Sequence, residues 1–435
     1  MSFVSSFAEL LNPLAVLMSQ PSFATFQILI YGWLFARRRT VTGMIQAADA
    51  LQIKHHSAFH RFFSTARWCR DQMGLLIFDL VSLLTGDRIF LTLDDTLSRK
   101  RGLKVYGAGM HHDPMISTRK KAQLNYGHSW VVLAVVIPCP LRSGRFFSLP
   151  ILVRLYLNKK SAQKEGKAYR TRPELGVELI QLLARHAPHS RFHLLADSAY
   201  GGESVLGHLP EQFDMTSRLP LDARLYRLPP ERKPGTNGRP RKRGDRLPNP
   251  GEMLSRRARR VTLSIYGRRD RARLVEGQGC WYCLPGLLLS IVAVEPLSGG
   301  RKAQAFYSTV GGAGGIEIVS WYAMRWSCEV TFRDAKQNLG FEQPQGWTES
   351  AVQRTAPMAL YLYSLVVYWF VTTGYRSYQA SERPWYGKKV HPSFAEMLAT
   401  LKRQHLQLEV SEQVQKHQSS ENLQNIHEKL IRLAT

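Results

Sequence analysis

The stretch Trp321–Gly340, WYAMRWSCEVTFRDAKQNLG, contains no proline and no internal glycine, and it reads as one long helix. Tyr322, Arg325, Glu329 and Lys336 follow one another in it at steps of three, four and seven residues. At about 100° per residue, those four side chains fall within a stripe about 60° wide. One face therefore carries a phenol, a guanidinium, a carboxylate and an ammonium in fixed order. On an arbitrary helix this would be a solvated face braced by i,i+4 pairs such as Arg325–Glu329. The rest of the chain decides whether it is more than that.

A length of 435 residues suggests two or three domains, and 44% hydrophobic residues is ordinary for a globular protein. The charge is not ordinary: 59 Lys+Arg stand against 33 Asp+Glu, a net +26. Such a surplus calls for a polyanionic partner, nucleic acid first and an anionic membrane surface as its rival. Cysteines 69, 139, 280, 283 and 328 form no spaced framework, which fits a reduced cytosolic setting. Cys280 and Cys283 make a lone CxxC with no second pair beside it, so they read as strand positions rather than a zinc site. Met1–Ala8 lacks the positive start of a signal peptide. Leu10–Ala36 reads as two short buried helices. Thr355–Tyr375 is uncharged, but with Pro357, Ser364 and its tyrosines it reads as a buried helix rather than a span.

Two aspartates stand out upstream. Arg88–Asp94, RIFLTLD, is a short apolar strand that ends in Asp94-Asp95-Thr96. A carboxylate at the end of a buried strand is costly unless a cation meets it. Neighbouring strand residues face opposite ways, so only one of Asp94 and Asp95 can point into a shared site. SRKRGLK (98–104) follows as a basic loop suited to phosphates. Residues 129–138 and 146–157 read as a strand hairpin, and Leu175–His186 as an amphipathic helix. Phe192–Ala196 is another strand, ending in Asp197-Ser198-Ala199-Tyr200-Gly201. Alone, an Asp in that position is usually a turn or a cap.

Taken together, the Tyr-(2)-Arg-(3)-Glu-(6)-Lys spacing, Asp94-Asp95-Thr96 and Asp197-Ser198-Ala199-Tyr200-Gly201 resemble bacterial insertion-sequence DDE transposases with a Y-R-E-K signature. The resemblance implies an α/β fold: an RNase H-like core, a mixed sheet flanked by helices, with further regions attached. It divides the chain into a helical DNA-binding domain (1–87), a core in two parts (88–220 and 301–375), a basic β-rich insertion (221–300) and a helical C-terminal region (376–435). It assigns catalysis and metal binding to Asp94, with Asp95 as the alternative, and to Asp197 and Glu329. These would hold two Mg²⁺ ions, with Mn²⁺ able to substitute. Tyr322, Arg325 and Lys336 would contact phosphates of the element's end. The implied activity is cleavage at the terminal repeats and joining of the 3′ hydroxyl to target DNA, through a hairpin in many members. The implied partner is double-stranded DNA, held by a homodimer in the cytoplasm at the nucleoid, with no membrane.

Between Asp197 and Glu329 lie 131 residues, more than such a core needs. From Leu221 to Arg273 there are 17 Lys+Arg and 5 Asp+Glu, close to half of the chain's surplus. Gly238-Arg239-Pro240, followed by Arg241, Lys242 and Arg243, resembles a minor-groove AT-hook core; a basic solvated loop is the plainer reading. Trp281, the one tryptophan of the insertion, is read either as a stacking surface for a base extruded at a hairpin or as a core residue of its strand. Residues 1–87 read as a basic helical bundle in which His60, Arg61, Arg67 and Arg70 face phosphates while Phe62, Phe63 and Trp68 pack inward. Two other functions fit the same residues: a metal-dependent nuclease that cuts without joining, and a transposase-derived DNA-binding protein without activity.

Overall fold

The apolar runs at 88–99 and 124–156 form the centre of a large mixed sheet, and amphipathic runs form helices on its faces. The computed structural model describes residues 4–113, 116–118, 121–141, 143–231, 239–265, 268–297, 302–380 and 391–416. Gly238 and, within the C-terminal region read at 376–435, residues 381–390 and 417–435 lie outside these. The helices α1 (Ser5–Leu11), α2 (Gln20–Phe35), α3 (Val41–Ala47), α4 (His56–Ser64) and α5 (Arg70–Ser82) come first. Then follow β1 (Arg88–Arg99), β2 (Gly109–His112), β3 (Leu124–Pro138), β4 (Phe146–Tyr156), α6 (Lys159–Lys164), α7 (Arg172–His186), β5 (Arg191–Ala196), α8 (Glu203–Leu206) and β6 (Phe213–Leu219). The basic region holds β7 (Leu225–Tyr226), β8 (Arg246–Leu247), α9 (Pro250–Arg257), β9 (Arg259–Ile265), β10 (Arg268–Trp281) and β11 (Leu288–Pro296). The chain continues through β12 (Gln304–Ser308), α10 (Gly315–Met324), α11 (Trp326–Leu339), α12 (Glu349–Thr372) and α13 (Phe394–Lys416).

Five strands form the centre in the order β4–β3–β1–β5–β6. In the first three each strand is antiparallel to its neighbour, and β5 and β6 run parallel to β1. Parallel strands must be buried on both faces. Accordingly Leu91, Leu93, Leu194, Leu195 and Ala196 have no solvent exposure. The strands of the basic region belong to the same sheet: β12 pairs with β6, β11 with β12, and β10 with β11.

Three elements differ from the sequence reading. First, β1 does not end at Asp94. Its pairing with β3 runs on to Arg99, whereas β5 stops opposite Leu93. Asp94 thus lies within a strand, at the point where its parallel neighbour departs, and Ser98 and Arg99 are strand rather than loop. Second, within the helical bundle read at 1–87 the chain breaks between α4 and α5, where Trp68 folds back and donates its indole N–H to Phe62 O. Arg70 is drawn into the protein by Gln353 and Asp71 rather than offered to a phosphate. Third, the signature stretch is two helices that meet at Arg325. There the Ser327 hydroxyl takes Met324 O, and the local bonds tighten to Arg325 N–Tyr322 O and Cys328 N–Arg325 O. A serine that bonds back to the chain in this way competes with the regular helical pattern.

The long apolar α12 runs against β4, with Ser364 Oγ donating to Pro150 O. Its most apolar window is 83% buried inside the protein, so the core accounts for its composition.

Candidate active site

The site is built where β1 loses its parallel partner. Side chains alternate along β1. Thr92 points to the α11 face, where its hydroxyl bonds Ser148 Oγ, which in turn bonds Ser327 Oγ. Asp94 shares that face. Leu93 points to the opposite face, toward α7, where it closes over Gly176; Asp95 follows it there.

The two aspartates consequently meet different partners. Asp94 Oδ2 accepts from Arg325 Nη1 at 2.7 Å, and Arg325 Nη2 donates to Glu329 Oε1 at 2.5 Å. A single guanidinium therefore ties the first and third acidic residues together, fork to carboxylate. Asp95 Oδ1 accepts from the Tyr200 hydroxyl at 3.0 Å, and its Oδ2 lies 3.2 Å from Arg172 Nε and 3.3 Å from Ser129 Oγ. Asp197 follows the last residue of β5, Ala196, which pairs with Leu93. It stands beside Asp94, one step past the last pair of the parallel ladder. Its Oδ1 accepts from Ala199 N at 2.9 Å and its backbone oxygen from Ser217 Oγ at 3.0 Å, so the turn after β5 is a fixed one.

Electrostatics follow from this crowding. Burial drives the Asp94 carboxyl up to about 7; Arg325 pulls it back, and Asp197 and Asp95 push it further. Burial also raises Asp95, against Arg172 and Tyr200. The Tyr200 phenol is raised by burial and by the two aspartates. Asp94 and Asp95, both opposed by burial and by Asp197, are each met by one guanidinium, Arg325 and Arg172 respectively.

The remaining residues singled out from sequence are placed as follows. Tyr322 is buried, its ring against Phe306 at 4.5 Å and beneath the Arg325 guanidinium at 5.6 Å. Lys336 is half-buried: burial lowers it, with Glu342 and Asp113 opposing and Arg99 adding to the lowering. Trp281 is half-buried and packs near Tyr307, 6.2 Å between ring centres. Arg239, Arg241 and Lys242 are exposed. Arg243 is not. Its guanidinium lies 3.8 Å from the Tyr282 ring centre and 5.7 Å from that of Tyr226, and it donates to Tyr282 O.

Two features were not found from sequence. Tyr200 and Arg172 lie 105 and 77 positions from Asp95, and no spacing rule links them. Trp326, half exposed, borders a cavity of about 640 Å³ between β9, β11, β12 and the α10–α11 junction, with Tyr322 and Phe306 on its walls. Its place after Arg325 in the signature stretch was the available signal.

The donor set, carboxylate oxygens, is of the kind a hard divalent cation takes. Among the described residues, no three His, Cys, Asp or Glu side chains are gathered closely enough to hold a metal as they stand. The Arg325 guanidinium lies between two of the three carboxylates.

A mixed α/β fold that gathers buried carboxylates at the end of a parallel strand pair has the makings of a nuclease. The chain matches the family model described as DDE superfamily endonuclease over residues 18–275, more than half its length, and it belongs to that family. The match includes Asp94 and Asp197 and ends before Glu329. Among curated proteins no relative matches. Among solved structures, the chain is similar to the piggyBac transposase in a synaptic complex with hairpin DNA, at 11% identity and a TM-score of 0.42, covering 94% of this chain and 76% of that one. A likeness at that level carries no weight for function.

Proposed function

We propose that this DDE superfamily endonuclease is a transposase of the insertion-sequence type, with Asp94, Asp197 and Glu329 as its acidic triad. The observation that carries the reading is the bridge Asp94–Arg325–Glu329, which brings the signature helix onto the strand pair that bears the two aspartates. The strand order β4–β3–β1–β5–β6, with three antiparallel and two parallel strands, supports an RNase H-like core.

Asp94, Asp197 and Glu329 would hold the divalent ions, Mg²⁺ or Mn²⁺ in its place. When bound, a metal pair supplies charge for the pentavalent phosphorus and a polarised nucleophile. The chain's own residues do the rest. Arg325 gives up its carboxylates and turns its fork to a phosphate. Tyr322 supports the guanidinium from below. The basic surface binds duplex ends, and a second copy pairs them. Trp326, exposed at the cavity mouth, is the aromatic best placed among the described residues for a base displaced at a hairpin; Trp281 reads better as packing.

The test uses a supercoiled plasmid carrying the gene with its flanking DNA. In Mg²⁺ or Mn²⁺ the protein should cut at the element's borders, and a denaturing gel reports any hairpin. Asp94→Asn, Asp197→Asn and Glu329→Gln should each lose cleavage about 100-fold or more, with duplex affinity within a few-fold of the parent. Cutting that persists in Glu329→Gln would remove that residue from the site. A protein that cuts but yields no joined product would be a nuclease.

A further inference from the structure

The second aspartate of the Asp94-Asp95 pair has a full set of partners: Tyr200 in the turn that carries Asp197, Arg172 of α7 and Ser129 of β3. Tyr200 is 1% exposed and sits three residues after Asp197. Its hydroxyl reaches Asp95 Oδ1 at 3.0 Å, and its backbone N–H donates to Asp197 O at 3.2 Å. Next to it, Gly201 is pressed so closely on β6 that a Cβ would come 2.2 Å from Ser217 Oγ, and its carbonyl accepts from Tyr307 OH at 2.8 Å. On the other side, Arg172 at the start of α7 reaches Asp95 Oδ2 and Ser129 Oγ through its Nε, and its guanidinium lies over the Tyr156 ring at 4.4 Å. The capping box Thr171–Glu174 fixes the helix end from which Arg172 projects.

We propose that Asp95 is a positioning residue: held by Arg172 from α7, it fixes the Asp197–Gly201 turn through Tyr200 so that the Asp197 carboxylate stands beside Asp94. The proposal rests on the acidic-triad reading above. A strand residue has two faces at its disposal, and this pair uses both. Asp94 serves the site on one face. Asp95 clamps, from the other face, the loop that delivers the second ligand. A ligand is only as well placed as the groups that hold it, and removing such an outer partner typically weakens metal affinity about 10-fold or more.

The experiment compares full-length Tyr200→Phe, which removes a single oxygen, and Asp95→Asn, which keeps the shape, with the parent protein. Mn²⁺ binding is titrated by electron paramagnetic resonance, and plasmid cleavage is followed across Mn²⁺ concentrations. Both variants should bind Mn²⁺ about 10-fold more weakly. They should cleave slowly at low Mn²⁺ and recover to within a few-fold of the parent at saturation, with duplex affinity unchanged. Parent-like Mn²⁺ affinity in Tyr200→Phe overturns the clamp, because the contact then only packs. Loss of Mn²⁺ binding and cleavage in Asp95→Asn at every concentration also overturns it, because Asp95 would then be a ligand. Asp197→Asn, run alongside, reports on the reading beneath: if it binds and cuts like the parent, the triad itself is wrong.

Discussion

Burial opposes the charge of Asp94, and pH can reveal by how much. Its carboxyl is pushed up to about 7 in the folded chain, against about 3.9 for an unperturbed aspartate. The folded protein therefore binds that proton more tightly than the unfolded one. The resulting stabilisation is complete below about pH 4 and is lost as the pH rises through 7. Asp94→Asn, which cannot charge, should be more stable than the parent at pH 8 by about 1–3 kcal/mol, and this advantage should fade toward pH 4. Thermal unfolding at several pH values measures it; a variant less stable at pH 8 than at pH 4, relative to the parent, would show that the Arg325 bridge outweighs burial. Mn²⁺ should raise the melting temperature of the parent and not that of Asp94→Asn. At this scale the sequence marked the acidic residues as candidates through local patterns: an apolar strand run reaching Asp94, a strand followed by Asp197, and a fixed helical spacing for Glu329. It offered Arg325 to Glu329 as an i,i+4 pair, and was silent about the Arg325 bridge to Asp94 and the partners of Asp95. Lys336 was read as a phosphate contact from the signature and Arg243 from the basic run around it. The structure places Lys336 near Glu342, Asp113 and Arg99 and packs Arg243 on tyrosines, neighbours that come largely from distant elements.

Helices and strands were legible where the periodic pattern was strong, and less so where two elements share a residue. The hairpin of β3 and β4, the helix α7 and the strand β5 lie where alternation and apolar runs placed them. The break at Arg325 is a single tightened turn that no residue type in the stretch marks. The N-terminal helices were legible as helices but not as part of the core. They are knitted to it: Trp33 Nε1 donates to Leu339 O, and a Cβ at Gly74 would come 1.8 Å from the Ile151 carbonyl oxygen, so α5 rests directly on β4. Arg354 of α12 is the strongest such tie. It donates to Phe63 O, Ala66 O and Trp68 O, the carbonyls left open where α4 ends, and lies over the Trp68 ring at 4.9 Å. Arg354→Ala leaves those acceptors without their donor and should cost about 2–4 kcal/mol. A urea midpoint shows the loss; a change below about 0.5 kcal/mol would mean water replaces the guanidinium freely. Arg354→Lys should recover little, since one ammonium cannot span the three carbonyls.

The whole molecule carries a net +26, and 221–273 accounts for much of it, on strands that extend the core sheet to one side of the acidic site. Not all of this charge is available to a partner. Arg259 pairs with Glu276, Arg273 pairs with Glu295, and Arg243 is stacked on tyrosines. Arg239, Arg241 and Lys242 stand exposed on one short segment. Each phosphate contact contributes about 0.9 to the slope of log K against log salt concentration, because neutralising a phosphate releases condensed counterions. Replacing these three by alanine should therefore flatten the slope for a 40-base-pair duplex by as much as ~3, with the largest loss of affinity at low salt. Arg243→Ala separates the two kinds of basic residue. It should leave the slope alone and lower stability by about 1 kcal/mol, the usual scale of a cation over aromatic rings. Fluorescence anisotropy from 50 to 300 mM salt gives the slope, and thermal unfolding gives the stability. An unchanged slope in the triple variant would make this segment a solvated loop. The duplex would then have to be gripped elsewhere on the basic surface, with the exposed Arg101 and Lys104, just past the strand that carries Asp94, the next to be neutralised.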